Sequence, residues 1–349
     1  MLFYLIFIGG VRNNSQFFLE NQEKFYYDIF IPYLKDNNIT TLWMLGDFYE
    51  NRKMISTSIL NRTHLFLNTL EEMNIKSYFI LGNDDVAFKN TNIINSLKPI
   101  TKAFKNIHLI EEFETINFDG LNIGFISWIS PEINDKAINW IKNVNASIIC
   151  GHFPINSFEI IKGIVCSKGL DTNLFERFDS VFSGHFHIRA TNGIIQYIGN
   201  PSQTNWGEYG YPKGFGVFDT ETKKICFIDN PYNIYEIIKF NDDFDISNID
   251  LPSFENKIVR VVANNNKNKK KLEVLIDNLN SKAYYVEVIE NNDITVSSEN
   301  KDDIIPTDTI EVISQFLDTC KIEHIDRNKL DSIILDIYQE ALERGVVEC

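Results

Sequence analysis

The stretch Thr41-Leu42-Trp43-Met44-Leu45-Gly46-Asp47 indicates the fold most clearly, because a short apolar run is followed directly by glycine and a carboxylate. Two other apolar runs, Leu2–Ile8 and Ser77–Leu81, also end at glycine. The segments between the runs, Phe17–Leu34 and Ile55–Met73, have the periodicity of amphipathic helices. This alternation of strand and helix predicts a parallel sheet covered by helices. In such a sheet the functional side chains follow the carboxyl ends of the strands.

The later part of residues 1–240 is richer in short strands. Asp119-Gly120 predicts a hairpin turn between two of them. We expect the strands after residue 180 to form a second sheet, including the pair Gly214–Phe218 and Lys224–Ile228. The predicted fold class is therefore α/β, a two-sheet sandwich flanked by helices.

The chain is expected to consist of four parts. Residues 1–240 form the two-sheet domain, and a cluster of Asn, Asp, Ser and Pro after it marks a boundary. Residues 241–292 have the pattern of a small βαβ unit, residues 293–306 that of a polar linker, and residues 307–349 that of two helices. Both helices carry an apolar stripe. The stripes either pack on their own domain or dock on a partner, and the sequence leaves both possibilities open.

The composition predicts a folded protein of the cytoplasm. The 349 residues are 44% hydrophobic and 13% aromatic, which is enough to build a substantial core. The net charge of −15 argues against a broad basic surface for nucleic acid, although metal cations or a basic partner could supply the attraction. The five cysteines are odd in number and include no CxxC pair, as expected in a reducing compartment. No stretch is long and apolar enough to span a membrane, so we expect no membrane association.

Five polar side chains follow the ends of predicted strands. They are Asp47, Asn83, His152, His185 and His187. In the last pair, the strand period of two places both imidazoles on one face. A neutral imidazole offers a lone pair to a metal, and a carboxylate and an amide oxygen accompany the histidines here. The set predicts a mixed O/N site suited to manganese, zinc or iron.

The order of these motifs resembles the calcineurin-like metallophosphoesterase superfamily. Four stretches carry the resemblance: Gly46-Asp47, Gly82-Asn83-Asp84-Asp85, Gly151-His152 and Gly184-His185-Phe186-His187. Three longer stretches look like the SbcD/Mre-type recombination nucleases, and most of all like the subunit carried by tailed phages: Gly46–Arg52, Tyr197–Pro201 and Pro212–Thr222.

The resemblance implies a function and a set of roles. In that family two metals share a bridging aspartate and activate water for in-line attack on a phosphodiester. Asp47 would be the bridge. One metal site would be completed by Asn83, His152 and His185, and His187 would belong to the other. The implied cofactor is Mn²⁺, with Mg²⁺ as an alternative. The implied partners are DNA, a second copy of the chain, and an SbcC-type coiled-coil ATPase bound by the C-terminal helices, in the host cytoplasm if the chain is phage-encoded.

Two motifs depart from the family pattern. Where the family has Asp-x-His after the first strand, this chain has Gly10 and Arg12, and neither side chain is a metal ligand. Where the family has Gly-Asn-His-Asp, whose histidine protonates the leaving oxygen or steadies the phosphate, this chain has Asp84. An ionised carboxylate there is a poor acid and repels phosphate. We therefore expect one bound ion and an incomplete second site.

Three functions remain open from the sequence. The first is a single-metal nuclease in which Asp84 and Arg12 take catalytic positions and the Arg12 guanidinium binds the phosphate or Asp47 in place of the missing ion. Glu50 is a further candidate for substrate binding near the metal. The second is an inactive subunit that binds DNA ends or regulates an ATPase, and the third is a small-molecule phosphodiesterase. The predicted βαβ unit of residues 241–292 and the terminal helix pair resemble the family's capping domain and partner-binding tail in position, and they favour the first two functions.

Overall fold

The structure is a computed structural model of the 349-residue chain. It describes residues 2–4, 11–52, 54–161, 164–166, 169–264 and 268–291, together with positions 330, 333 and 337. The chain divides into two compact units. The first contains residues up to 204 and residues 210–232, and the second contains residues 205–209 and those from 233 onward.

The described part of the first unit contains two six-stranded sheets. In spatial order, the strands of the first sheet are Lys224–Asp229, Gly214–Asp219, Leu2–Tyr4, Thr41–Leu45, Lys76–Ile80 and Ile107–Ile110. Those of the second sheet are Ala190–Asn192, Ile195–Tyr197, Ser180–Ser183, Ile148–Gly151, Leu121–Ile126 and Phe113–Phe118. Two short hairpins are separate from both sheets: Val86–Phe88 with Thr91–Asn95, and Glu159–Ile161 with Ile164–Val165.

The first helical region is almost continuous. Helices Gln16–Phe25 and Ile31–Asp36 are joined by π-helical turns over Tyr26–Phe30. The next helix, Thr57–Glu72, begins after Ser56, whose hydroxyl accepts a hydrogen bond from the Ile59 amide and caps the helix. Both predicted helices are thus confirmed. The remaining α-helices described in this unit are Leu97–Thr101 and Asn134–Asn143.

The predicted alternation of strands and helices is also confirmed. Leu2–Tyr4, Thr41–Leu45 and Lys76–Ile80 are parallel neighbours in the first sheet. Residues 42–45 of the strand Thr41–Leu45 are all apolar because both of its faces are buried, as in most parallel sheets. Leu42 and Met44 pack under the helices, whereas Trp43 and Leu45 face the second sheet. This two-sided core makes the unit the predicted two-sheet α/β sandwich.

The prediction that the strands after residue 180 join the second sheet is wrong for one hairpin. Strand Gly214–Asp219 pairs antiparallel with Leu2–Tyr4 in the first sheet, and Lys224–Asp229 forms the edge of that sheet. Phe215 packs 5.2 Å from the helix residue Phe30, ring centre to ring centre, and Phe218 packs against Trp43 between the sheets. Alternation in a sequence shows which face of a strand is buried, but not which sheet the strand joins.

The second unit has a three-stranded parallel sheet in its described part. Its strands are Tyr235–Phe240, Ile258–Asn264 and Tyr285–Asn291, and helix Lys269–Asn280 packs on the sheet through Leu272, Leu275 and Leu279. The predicted boundary after residue 240 would cut this sheet, because Tyr235–Phe240 pairs with Ile258–Asn264 along its whole length. The division therefore falls before that strand, near residue 233.

The predicted linker, residues 293–306, lies outside the described residues, as does most of the predicted helix pair. Positions 330, 333 and 337 are described and are helical, with Ile333 and Ile337 exposed. In the part of the chain that the structure describes, no helix is both long enough and apolar enough to cross a bilayer.

Candidate metal centre

Four side chains from four strand ends meet in the first unit. They are Asp47 and Asn83 from the first sheet, and His152 and His185 from the second. Asp47 and His152 are fully buried, whereas Asn83 and His185 are half-buried. The parallel central strands of both sheets bring their carboxyl ends to one place, as the sequence predicts.

The ligand atoms of these four side chains lie close together, with His152 Nε2 at about hydrogen-bond distance from each of the other three. His152 Nε2 lies 3.1 Å from Asp47 Oδ2 and 3.1 Å from Asn83 Oδ1. It lies 3.2 Å from His185 Nδ1, which is itself 2.9 Å from Asn83 Oδ1. The centre is therefore compact.

The donor chemistry of this centre fits a cation. His152 Nδ1 is 2.8 Å from the carbonyl oxygen of Leu45, which can only accept, so Nδ1 carries a proton and Nε2 is the nitrogen whose lone pair is available to a cation when the ring is neutral. That lone pair faces the carboxylate of Asp47 and the side chain of Asn83, whose Oδ1 is also an acceptor. Ligands about 2.1 Å from an octahedral cation are about 3.0 Å apart, close to the distances observed between these atoms.

Burial and neighbouring charges set the ionisation of the candidate ligands. Burial raises the pKa of Asp47, but the charge and hydrogen bond of His152 outweigh it and bring the pKa below its ordinary value. Burial lowers the pKa of His152, whereas the charge of Asp47 raises it above the ordinary value. Burial, with the charge of His152, lowers the pKa of His185 to about 3. Asp47 is therefore a carboxylate and His185 a neutral imidazole, which are the forms that bind metal.

The backbone at the centre allows no extra atoms. The backbone of Asp47 has a φ angle of 51° and that of His185 a φ angle of 74°. Residues other than glycine rarely adopt this left-handed conformation. A Cβ atom on Gly46 would lie 2.5 Å from His152 Nδ1, and one on Gly82 would collide with Asp47. The glycines that precede Asp47 and Asn83 thus let the loops approach closely.

Two residues that sequence reasoning missed hold these loops together. Buried Asp85 accepts hydrogen bonds from the amides of Phe48 at 2.9 Å and Gly82 at 2.8 Å, and so joins the Asp47 loop to the Asn83 loop. Burial and the charge of Asp47 raise the pKa of Asp85 to about 8. Buried Ser127 accepts from the Leu81 amide at 2.8 Å and links the sheets there. Asp85 belongs to a motif visible in the sequence, whereas nothing in the sequence marks Ser127.

Asp84 lies beside the centre and not within it. Its amide donates to Asp47 Oδ1 at 2.8 Å, and its carboxylate forms an ion pair with Arg52, with Oδ1 2.9 Å from Nη2. Burial and the charge of Asp47 raise the pKa of Asp84 to about 7, against the lowering effect of Arg52. The expectation of an ordinary ionised carboxylate at this position is therefore too simple.

The other predicted site residues lie elsewhere or are not described. Among the described residues, the group with three ligand atoms within 4.8 Å of one another contains Asp47, His152 and His185, without His187. Arg12 is exposed, and its Nε donates to the carbonyl oxygen of Thr204 at 3.2 Å. Glu50 is half-buried after the Asp47 loop. Gly10 lies outside the described residues, and the roles suggested for these four residues remain predictions.

The backbone of His187 is held by a buried lysine. Lys213, with 2% of its surface exposed, donates from Nζ to the carbonyl oxygen of His187 at 2.9 Å and to Asn200 Oδ1 at 2.5 Å. The amide of Asn200 also donates to the His187 carbonyl, at 3.2 Å. The stretches Tyr197–Pro201 and Pro212–Thr222, singled out in the sequence without a role, thus fix the loop that carries His185 and His187.

A two-sheet sandwich that holds a carboxylate, an amide and two imidazoles at its central strand ends has the architecture of a metallophosphoesterase. No protein-family model matches the chain. It is 29% identical over 315 residues to exonuclease subunit 1 of Enterobacteria phage T4, covering 90% of this chain and 91% of the relative. It is 26% identical over 276 residues to the SbcD subunit of the SbcCD nuclease from Staphylococcus saprophyticus, covering 67% and 69%. These two relatives support the resemblance to calcineurin-like metallophosphoesterases of the SbcD type that the motifs predict.

Two solved structures are more distantly similar. A novel archaeal phosphodiesterase aligns at 15% identity and a TM-score of 0.34, covering 66% of this chain and all of that one. A protein of Thermus thermophilus aligns at 13% identity and a TM-score of 0.40, covering 65% and 97%.

Proposed function

We propose that this chain is the nuclease-type subunit of a DNA recombination or repair complex, and that it hydrolyses phosphodiesters at DNA ends with a divalent cation. One observation carries the proposal: four lone-pair ligands converge at strand ends, 2.9–3.2 Å apart, in a chain related over 90% of its length to an exonuclease subunit.

The proposed cation is a single Mn²⁺. Asp47, Asn83, His152 and His185 would hold it. When bound, such an ion lowers the pKa of a water ligand and polarises a phosphoryl oxygen. The protein contributes orientation: the Asp84 amide holds one Asp47 oxygen, which leaves the other turned toward His152, and the Leu45 carbonyl fixes the His152 tautomer.

The incomplete second site is part of the proposal. His187 would face it, and Gly10 and Arg12 stand where further ligands are expected. We propose that the Arg12 guanidinium contacts the phosphate there and supplies positive charge in place of an ion. Glu50 and Asp84 are proposed to line the substrate side of the centre.

The proposed partners are DNA, a second copy of the chain and an SbcC-type coiled-coil ATPase bound by the C-terminal helices. The net charge of −15 supports a dependence of DNA binding on a bound cation or a partner protein, because a chain with this charge attracts DNA poorly by itself. One named relative, the SbcD subunit of the SbcCD nuclease, belongs to a nuclease complex.

A second candidate function is an inactive subunit that binds DNA ends or regulates the ATPase. The residues Gly10, Arg12 and Asp84, which replace expected ligand and acid residues, favour it.

Cleavage assays with the purified chain distinguish these functions. We expect the wild-type chain with Mn²⁺ to degrade end-labelled linear DNA, alone or with the ATPase, and the Asn83→Ala variant to degrade it at least about 100-fold more slowly. Equal cleavage by both proteins would reveal a contaminating nuclease and refute the assignment. No cleavage by either, with altered ATPase turnover, would favour the inactive subunit, and hydrolysis of an aryl phosphodiester without DNA cleavage would favour a small-molecule enzyme.

A further inference from the structure

An ion pair beside the centre joins two residues of the first unit. Arg52 Nη2 lies 2.9 Å from Asp84 Oδ1, and the two side chains are only 12% and 23% exposed. The Nη1 atom of Arg52 is buried and has no hydrogen-bond partner among the described residues. The guanidinium is therefore committed to Asp84, and little solvent screens the pair.

This pair stands next to the carboxylate of Asp47 and the buried carboxyl group of Asp85. The Asp84 amide touches Asp47 Oδ1 at 2.8 Å, and buried Asp85 follows directly in the chain. An unbalanced carboxylate at Asp84 would add to the charge of Asp47 and repel an approaching phosphate. Arg52 offsets that charge from the side of the Asp47 loop, five residues after Asp47 in the sequence.

We propose that Arg52 is a positioning residue that balances the charge of Asp84, and so sets the affinity of the centre both for its cation and for a phosphodiester anion. The inference rests on the proposed function, because it takes the Asp47 centre to be a cation site that receives a phosphodiester.

Charge balance predicts that each single substitution changes the affinities for Mn²⁺ and for DNA in opposite directions. Arg52→Met is expected to tighten Mn²⁺ binding about fivefold and to weaken DNA binding about fivefold, because it leaves the carboxylate uncompensated. Asp84→Asn is expected to do the reverse. The double variant has the same summed charge as the wild type, so both affinities should return to within about twofold of the wild-type values. Arg52→Lys, which keeps the charge, should change either affinity by less than about twofold.

Calorimetric titration with Mn²⁺ and fluorescence anisotropy with a short labelled single-stranded DNA, under conditions where no product forms, measure both affinities. If the pair were purely structural, each single variant would bind both Mn²⁺ and DNA more weakly, and the double variant would not regain the wild-type affinities. That result would overturn the role of Arg52. Thermal melting of all four variants identifies any loss of folding. A wild-type chain that binds no Mn²⁺ would overturn the proposed function and this role with it, whereas wild-type binding without the opposite shifts would overturn the role alone.

Discussion

Replacing His152 by alanine is expected to lower the affinity for Mn²⁺ by at least about 100-fold. Even the loss of a residue that only orients a metal ligand lowers metal affinity by about 10–100-fold. His152 Nε2 lies 3.1–3.2 Å from atoms of the three other proposed ligands, Asp47, Asn83 and His185. Its loss removes a ligand and also the imidazole that lowers the pKa of Asp47. The ring fills a fully buried position, so its removal leaves a gap in the ligand set. Calorimetric titration with Mn²⁺ measures the change.

The matched control is His108→Ala. The His108 imidazole is half-exposed and pairs with Glu114 at 2.6 Å, outside the three-residue ligand group found among the described residues. We expect the Mn²⁺ affinity of this variant to stay within about twofold of the wild-type value, as for most exposed substitutions. Equal affinities in the two histidine variants would contradict the proposed ligand set.

Replacing Asp85 by alanine is expected to lower the free energy of unfolding by about 3 kcal/mol. The change leaves the buried amides of Phe48 and Gly82 without their acceptor, at about 1–3 kcal/mol each. The weaker hydrogen bond from the Tyr49 amide, at 3.4 Å, is also lost. Burial and the charge of Asp47 both raise the pKa of Asp85, so removing its carboxyl group relieves an unfavourable burial and repulsion, which offsets part of this cost. Urea denaturation of the metal-free protein measures the difference.

Two further variants make this test specific. Asp85→Asn keeps one acceptor oxygen and should lose about half as much stability. Asp36→Ala changes an exposed carboxylate at a helix end and should alter the free energy of unfolding by less than about 0.5 kcal/mol. A loss below about 1 kcal/mol in Asp85→Ala, on the order of one ordinary hydrogen bond, would show that Asp85 does not hold the two loops together.

The sequence predicts the side chains that converge at the candidate centre because each follows a buried strand. Gly46-Asp47 and Gly184-His185 come directly after apolar runs, and parallel strands bring their carboxyl ends to one edge. The glycines are informative for the same reason, since the structure leaves no room for a Cβ atom on Gly46 or Gly82.

Other features could not be predicted, because they depend on long-range packing. The sheet that Gly214–Asp219 joins is set by Phe215 and Phe218, which pack on opposite faces of the strand. The strand Tyr235–Phe240 is placed in the second unit only by its pairing with Ile258–Asn264. Likewise, Asp84 forms its ion pair with a residue 32 positions earlier, and no local pattern identifies that partner.

The number of Mn²⁺ ions bound per chain tests the central claim most directly. Equilibrium dialysis at saturating Mn²⁺, with electron paramagnetic resonance on the same samples, gives both the count and the coupling between ions. A single centre formed by Asp47, Asn83, His152 and His185 predicts one ion per chain with the spectrum of an isolated Mn²⁺, and none in His152→Ala. Two coupled ions per chain, or no ion in the wild type, would contradict it.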